Sequence, residues 1–151
     1  MTGPERPRAA SAVSADPPDA PVAASAGRCR LPGVAFVAAA LGASGVGLGA
    51  FGAHALRARI SPALLEVYRT GVLYQLLHAV ALLGLAGLGD RLSRPRLTAG
   101  LFAGGVVVFS GSLYALALTG VGIWGAVTPL GGVSLIAGWL SVMFGLARRR
   151  D

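Results

Sequence analysis

"VYRTGVLYQLLHAVALLGLAGL", residues 67–88, decides how this chain folds. Apart from Arg69 near its start, the stretch carries no charged side chain. At about 1.5 Å of rise per residue it is long enough to cross a hydrocarbon layer of about 30 Å as one helix. In lipid every backbone N–H and C=O must be satisfied within the structure, which favours a helix over a strand of an open sheet. Three more stretches of the same character lie at 33–53, 97–118 and 129–147. Each holds about 19 to 22 residues, the length of a single crossing. The expected fold is therefore all-α, an integral membrane four-transmembrane-helix bundle over residues 32–147.

Composition agrees with that reading. Of the 151 residues, 54% are apolar and 13% charged, and mean hydropathy is +0.69, more oil than a soluble domain of this size can hide. The thirteen basic residues are all arginine and sit mostly in short connecting pieces. A net charge of +7 distributed in this way points to membrane topology. Nucleic-acid binding would need a basic stripe on a folded face, so nucleic acid is not an expected partner. Cys29 is the single cysteine, which excludes an intramolecular disulfide and a CxxC pair.

Outside the bundle, residues 1–31 are rich in Pro, Ala and Ser without apolar periodicity and read as a disordered tail. Residues 148–151 form a basic C-terminal end. The apolar run from Gly33 is too long for a signal-peptide core and reads as a retained helix.

Local signals mark the helix ends. Ser61-Pro62 and Thr128-Pro129 each set a capping hydroxyl before a proline, so the second and fourth helices are expected to start there. Trp124, in the third connection, suits the interfacial belt. Beside the membrane, Arg28, Arg30, Arg91, Arg94, Arg96, Arg148, Arg149 and Arg150 fall on one side. Arg57, Arg59 and Arg69 fall on the other, an asymmetry that places both termini in the cytoplasm.

Small residues indicate how the helices meet. Gly45 and Gly49 form one GxxxG pair, Gly100 and Gly104 another, while Gly131, Gly138 and Gly145 recur every seven residues. Such positions let backbones approach closely, replacing the hydrophobic drive that lipid removes.

Polar residues within the apolar stretches invite a functional reading. Thr70, Tyr74 and His78, spaced by four, share one helix face with Gln75 adjacent. His78 falls about 18 Å beyond Glu66 by helical rise, near mid-bilayer. One reading is a polar pocket or proton relay on Tyr74, Gln75 and His78. The other, preferred because this core holds no carboxylate, is interhelical bonding of neutral His78 to Ser110, Ser112 or Tyr114 of the third helix. At the other candidate site, His54 closes the first helix near Glu66 and Arg69, a possible polar lock or anion or lipid-headgroup site. His54 and His78 lie at different depths, which argues against shared haem or zinc ligation, and no cofactor is expected.

Four segments then carry a family likeness: "GAFGAHAL" at 49–56, "YRTGVLYQLLHAVALL" at 68–83, "VFSGSLYALALTG" at 108–120 and "TPLGGVSLIAGW" at 128–139. With them the chain resembles the small membrane proteins grouped as domain of unknown function 423, which include the transmembrane protein 256 group. The resemblance implies a four-helix protein of the bacterial plasma (inner) membrane with no established activity. It directs attention to Gly52, His54, Tyr74, Gln75, His78, Ser110, Gly111 and Tyr114.

Three functions remain in view. The preferred one is a non-enzymatic packing or interaction module whose partners are the lipid bilayer and either a second copy or another membrane protein. The second is a small transporter or channel-like protein with a polar pocket on the second helix. The third is a lipid-binding protein or membrane enzyme using His54 and Glu66.

Overall fold

The computed structural model describes residues 31–147, so the expected tail, apart from Leu31, and the basic end at 148–151 lie outside the described residues. Four long helices follow one another: α1 (Pro32–Phe51), α2 (Pro62–Leu88), α3 (Pro95–Thr119) and α4 (Ile123–Ala147). All four are long and apolar enough to cross a membrane. The chain is an integral membrane protein built as an all-α bundle, with no strand among the described residues.

Three of the helices begin on proline, Pro32, Pro62 and Pro95, where the missing N–H is one the first turn would leave unpaired anyway. Ser61 caps α2 as the sequence predicts, its Oγ accepting the Leu64 amide at 3.3 Å.

The start of α4 differs from the expectation at Thr128-Pro129: it begins at Ile123, and Pro129 lies inside it. The cause is upstream. Gly120 ends α3 with φ +70°, a left-handed cap whose amide bonds Leu116 O at 2.8 Å. Only Val121 and Gly122 then intervene before the chain coils again, so Trp124 belongs to the first turn of α4 rather than to a loop. Thr128 Oγ1 lies 3.2 Å from Trp124 O and 2.8 Å from Ser112 Oγ on α3. Hydroxyl contacts of this kind help a membrane helix tolerate proline.

The first span also runs beyond its expected end at Ala53. A π-helical turn, Gly52–Leu56, continues α1, so His54 sits within a helical turn and not at a terminus.

Each helix packs most extensively on its neighbour in sequence, α1 on α2, α2 on α3 and α3 on α4. At one end Leu31 lies over Gly89 and Leu92 over Gly145, bringing together the start of α1, the α2–α3 connection and the end of α4. At the other, Tyr68 lies over Gly52 and Leu116 over Gly125. These are called the terminal end and the opposite end. Between them one apolar core joins all four helices through Ala38, Leu82, Phe102, Val106 and Leu135, and a second, around Leu56, Leu65, Tyr68 and Ala117, closes the opposite end.

Candidate functional site

The polar residues of α2 point in two directions. Gln75 is buried, and its amide joins three helices: Nε2 donates to Leu41 O at 2.8 Å and to Ser44 Oγ at 2.9 Å on α1, while Oε1 accepts the Tyr114 hydroxyl of α3 at 2.9 Å. Two turns away, the Tyr68 hydroxyl donates to Leu48 O of α1 at 3.0 Å, and its ring lies 4.9 Å from that of Tyr114. Both donors and the acceptor of the Gln75 amide are thus engaged inside the bundle, which is how lipid-embedded polar groups are made tolerable.

His78 turns away from that network. Its Nδ1 lies 2.8 Å from Tyr74 O on its own helix, and the Trp139 indole N–H of α4 points at Nε2 from 3.3 Å. The two contacts together require a neutral ring with its proton on Nδ1, because the indole can only donate. The expected bond from His78 to Ser110, Ser112 or Tyr114 is therefore corrected. Its partner is Trp139 on α4, and the rings of Trp139 and of Phe102 on α3, 5.1 Å apart, flank it. Ser112 instead bonds Phe109 O and Thr128, and Tyr114 bonds Gln75. Ser110 Oγ is buried with no hydrogen-bond partner among the described residues. Tyr74 is partly exposed, and its ring lies tilted against that of Phe109, 4.4 Å between ring centres.

At the opposite end, Glu66 and Arg69 form a loose surface pair, 3.7 Å apart and one turn apart on α2. Side-chain hydrogen bonds and ion pairs among the described residues leave His54 outside this pair, and it is exposed on the π turn. Thr70 bonds back to Glu66 O at 3.0 Å. Nowhere among the described residues do three His, Cys, Asp or Glu side chains converge.

The glycines sort into filled and empty faces. A Cβ on Gly45 would meet Leu76 at 2.7 Å, and one on Gly49 would meet Val72 at 3.3 Å, so this pair seats α2. The seven-residue series seats α3 and the connection before it: Gly131 lies against the Phe109 backbone, Gly138 against the Phe102 ring at 2.6 Å, and Gly145 against Leu92 at 3.0 Å. Gly100 and Gly104 behave differently, since a Cβ on either would meet nothing within 4 Å among the described residues. Four close approaches escaped the sequence reading of packing: Gly52 under Tyr68, Gly71 under Tyr114, Gly89 under Leu31, and Gly105 under Leu135. Their signal was present as isolated glycines, but without a GxxxG spacing it could not be told from composition.

With this geometry in place, comparison with known proteins becomes informative. The model of the family described as "Protein of unknown function (DUF423)" matches residues 48–132, from the last turn of α1 into the middle of α4. The chain belongs to the DUF423 family. The match takes in Gln75, Tyr114 and His78 but not Trp139, so both ends of the α2–α3 tie fall inside the DUF423 match and the α4 half of the histidine tie falls outside it. Among relatives, the chain is 50% identical over 101 residues to the UPF0382 membrane protein YwdK of Bacillus subtilis (strain 168), covering 65% of this chain and 82% of that one. It is 45% identical over 105 residues to the UPF0382 inner membrane protein YgdD of Escherichia coli (strain K12), covering 68% and 80%. No solved structure matches this DUF423 chain.

Proposed function

We propose that this protein is a non-enzymatic membrane interaction module that docks a second copy, or another membrane protein, on the outward face of α3. The observation that carries the reading is the empty small-residue face. Gly100, Gly104 and Gly111, spaced by four and seven and so on one side of α3, each have nothing among the described residues within 4 Å of a Cβ position. The other glycine pair and the seven-residue series already seat a neighbouring helix within the chain. Beside this face runs an apolar groove of about 230 Å³ between α1 and α3, walled by Val34, Val37, Gly100 and Ala103 and floored by Leu82 of α2. In lipid, close backbone approach at such a face gains dispersion contacts that lipid tails do not supply equally well.

The transport reading needs a titratable group free to exchange protons, and the two hydrogen bonds of His78 weigh against that. The enzyme reading needs His54 and Glu66 to work together, and their separate surroundings weigh against it.

Gly104→Leu tests the proposal. Native mass spectrometry of gently extracted protein should show loss of the oligomer or bound partner, with the unfolding midpoint unchanged. Full assembly of the variant would count against docking on this face.

Arginine asymmetry supports a cytoplasmic terminal end in a bacterial inner membrane, and the relative YgdD carries "inner membrane protein" in its name. A C-terminal green fluorescent protein fusion should fluoresce while the matching alkaline phosphatase fusion stays inactive. The reverse pattern would invert the topology.

A further inference from the structure

At the terminal end, Ser93 and Arg94 of the α2–α3 connection, Leu97 of α3, and Ser141, Phe144 and Gly145 of α4 enclose a cleft of about 310 Å³. Three other grooves, of about 230 Å³ between α1 and α3, about 120 Å³ around Leu85 and Trp139, and about 220 Å³ around Gly49 and Val72, have almost wholly apolar walls. This one has mixed walls, in which Ser93, Arg94 and Ser141 stand with the exposed side chains of Leu97 and Phe144.

We infer that this cleft binds an anionic phospholipid, its phosphate held by Arg94 and Ser93 and an acyl chain lying along Leu97 and Phe144. Proton accounting identifies the donors. The single Thr98 proton goes to Arg94 O at 3.1 Å, so in the 2.7 Å contact between Thr98 and Ser141 it is Ser141 that donates. Ser141 is thereby turned inward and has no proton left for a ligand. The Ser93 hydroxyl and the Arg94 guanidinium remain, and guanidinium is the side chain best matched to phosphate oxygens.

Charge selects the same end. Arg91, Arg94 and Arg96 are exposed there, and in sequence Arg148, Arg149 and Arg150 follow α4 directly, against Asp90 and Asp151. At the opposite end the sequence suggested a headgroup site on His54, Glu66 and Arg69, but there Arg69 already faces the Glu66 carboxylate, which would repel a phosphate. The apolar part of the cleft wall decides between a lipid and free phosphate, because Leu97 and Phe144 offer nothing to a small hydrated anion.

The test uses the full chain in nanodiscs of phosphatidylglycerol or of phosphatidylcholine with the same acyl chains, followed by release and native mass spectrometry. Phosphatidylglycerol should stay bound and phosphatidylcholine should not. Arg94→Gln should lower retention about fivefold, the effect of roughly one interfacial arginine. Ser93→Asp, a second exposed position in the cleft, should lower it as well and tests the site independently if the first variant disturbs folding. The double variant Arg57→Gln/Arg59→Gln, at the opposite end, should retain lipid like the parent. Inorganic phosphate at millimolar concentration should not displace the lipid. Equal retention of the two lipids, equal loss in the variants of the two ends, or displacement by phosphate would overturn the assignment.

Discussion

α2 and α4 are nearly matched in oiliness, with mean hydropathy 1.7 and 1.6 in their most apolar windows, yet 39% of the α2 window is buried and 17% of the α4 window. α3 and α1 repeat the contrast at an identical 1.9, with 39% and 11% buried. In water such a difference would follow from apolarity. In a bilayer it cannot, because lipid tails are as apolar as leucine and reward no side chain for leaving them. The inner pair is inner because it carries groups that need a protein partner. Gln75, His78, Tyr68, Thr98, Ser110 and Ser112 are all buried and all lie on α2 or α3. The outer helices contribute carbonyls, hydroxyls, one indole and glycine faces to meet them.

The comparison is broken most severely where the backbones of an inner and an outer helix touch. Gly131→Leu would drive a Cβ into the Phe109 backbone nitrogen, which no rotamer change can relieve. Overpacking against backbone is expected to destabilise the bundle by about 3 kcal/mol, and α4 should separate from α3. Titration into sodium dodecyl sulfate, followed by Trp fluorescence, would show an early loss of structure. A parental midpoint would mean that this contact does not hold α4 in place.

Next in size is the three-helix tie. Gln75→Leu keeps the volume and removes the bonds to Leu41, Ser44 and Tyr114 together. Interhelical bonds in membranes average about 0.6 kcal/mol, so a loss of about 2 kcal/mol is expected. Tyr114→Phe should lose about 0.6 kcal/mol alone and close to nothing in the Gln75→Leu background. Fully additive losses would show that the two side chains do not share a bond.

Much of this arrangement was legible in the sequence. Four crossings could be read from apolar length, the α2 start from Ser61-Pro62, and the likeness to the family from motifs around Gln75, His78 and Tyr114. What could not be read depended on choices between equivalent local signals. Thr128-Pro129 looks the same as a helix start and as a proline inside a helix, and Gly120, eight residues earlier, decides between them by turning left-handed. His78 could reach either α3 or α4, and the partner depended on the rotation of α2, which apolar periodicity cannot fix when the whole segment is apolar. Gly100-Gly104 and Gly45-Gly49 have the same spacing, but only the second pair is covered within the chain.

A milder probe separates the two polar ties. His78→Phe removes the acceptor for the Trp139 indole while keeping an aromatic ring beside Phe102. A loss of about 0.6 kcal/mol is expected from this single interhelical bond. Trp139 emission should shift as its N–H loses its partner, most clearly in a Trp124→Phe background where it is the sole indole. An unshifted spectrum would show that the indole does not bond the histidine in the membrane.

The smallest effect is the most direct check on why the outer helices are outer. Ile136 on α4 is 61% exposed and faces away from α3, whereas its neighbour Leu135 is 4% exposed in the core. Ile136→Ala deletes as much apolar surface as many damaging core truncations, yet lipid tails fill the space it leaves. Its effect on the bundle should therefore stay within about 0.5 kcal/mol. A loss approaching the 2–5 kcal/mol typical of buried Leu or Ile truncations would mean that Ile136 is covered in the membrane. A second chain seated there would make α4 as well as α3 part of the docking surface.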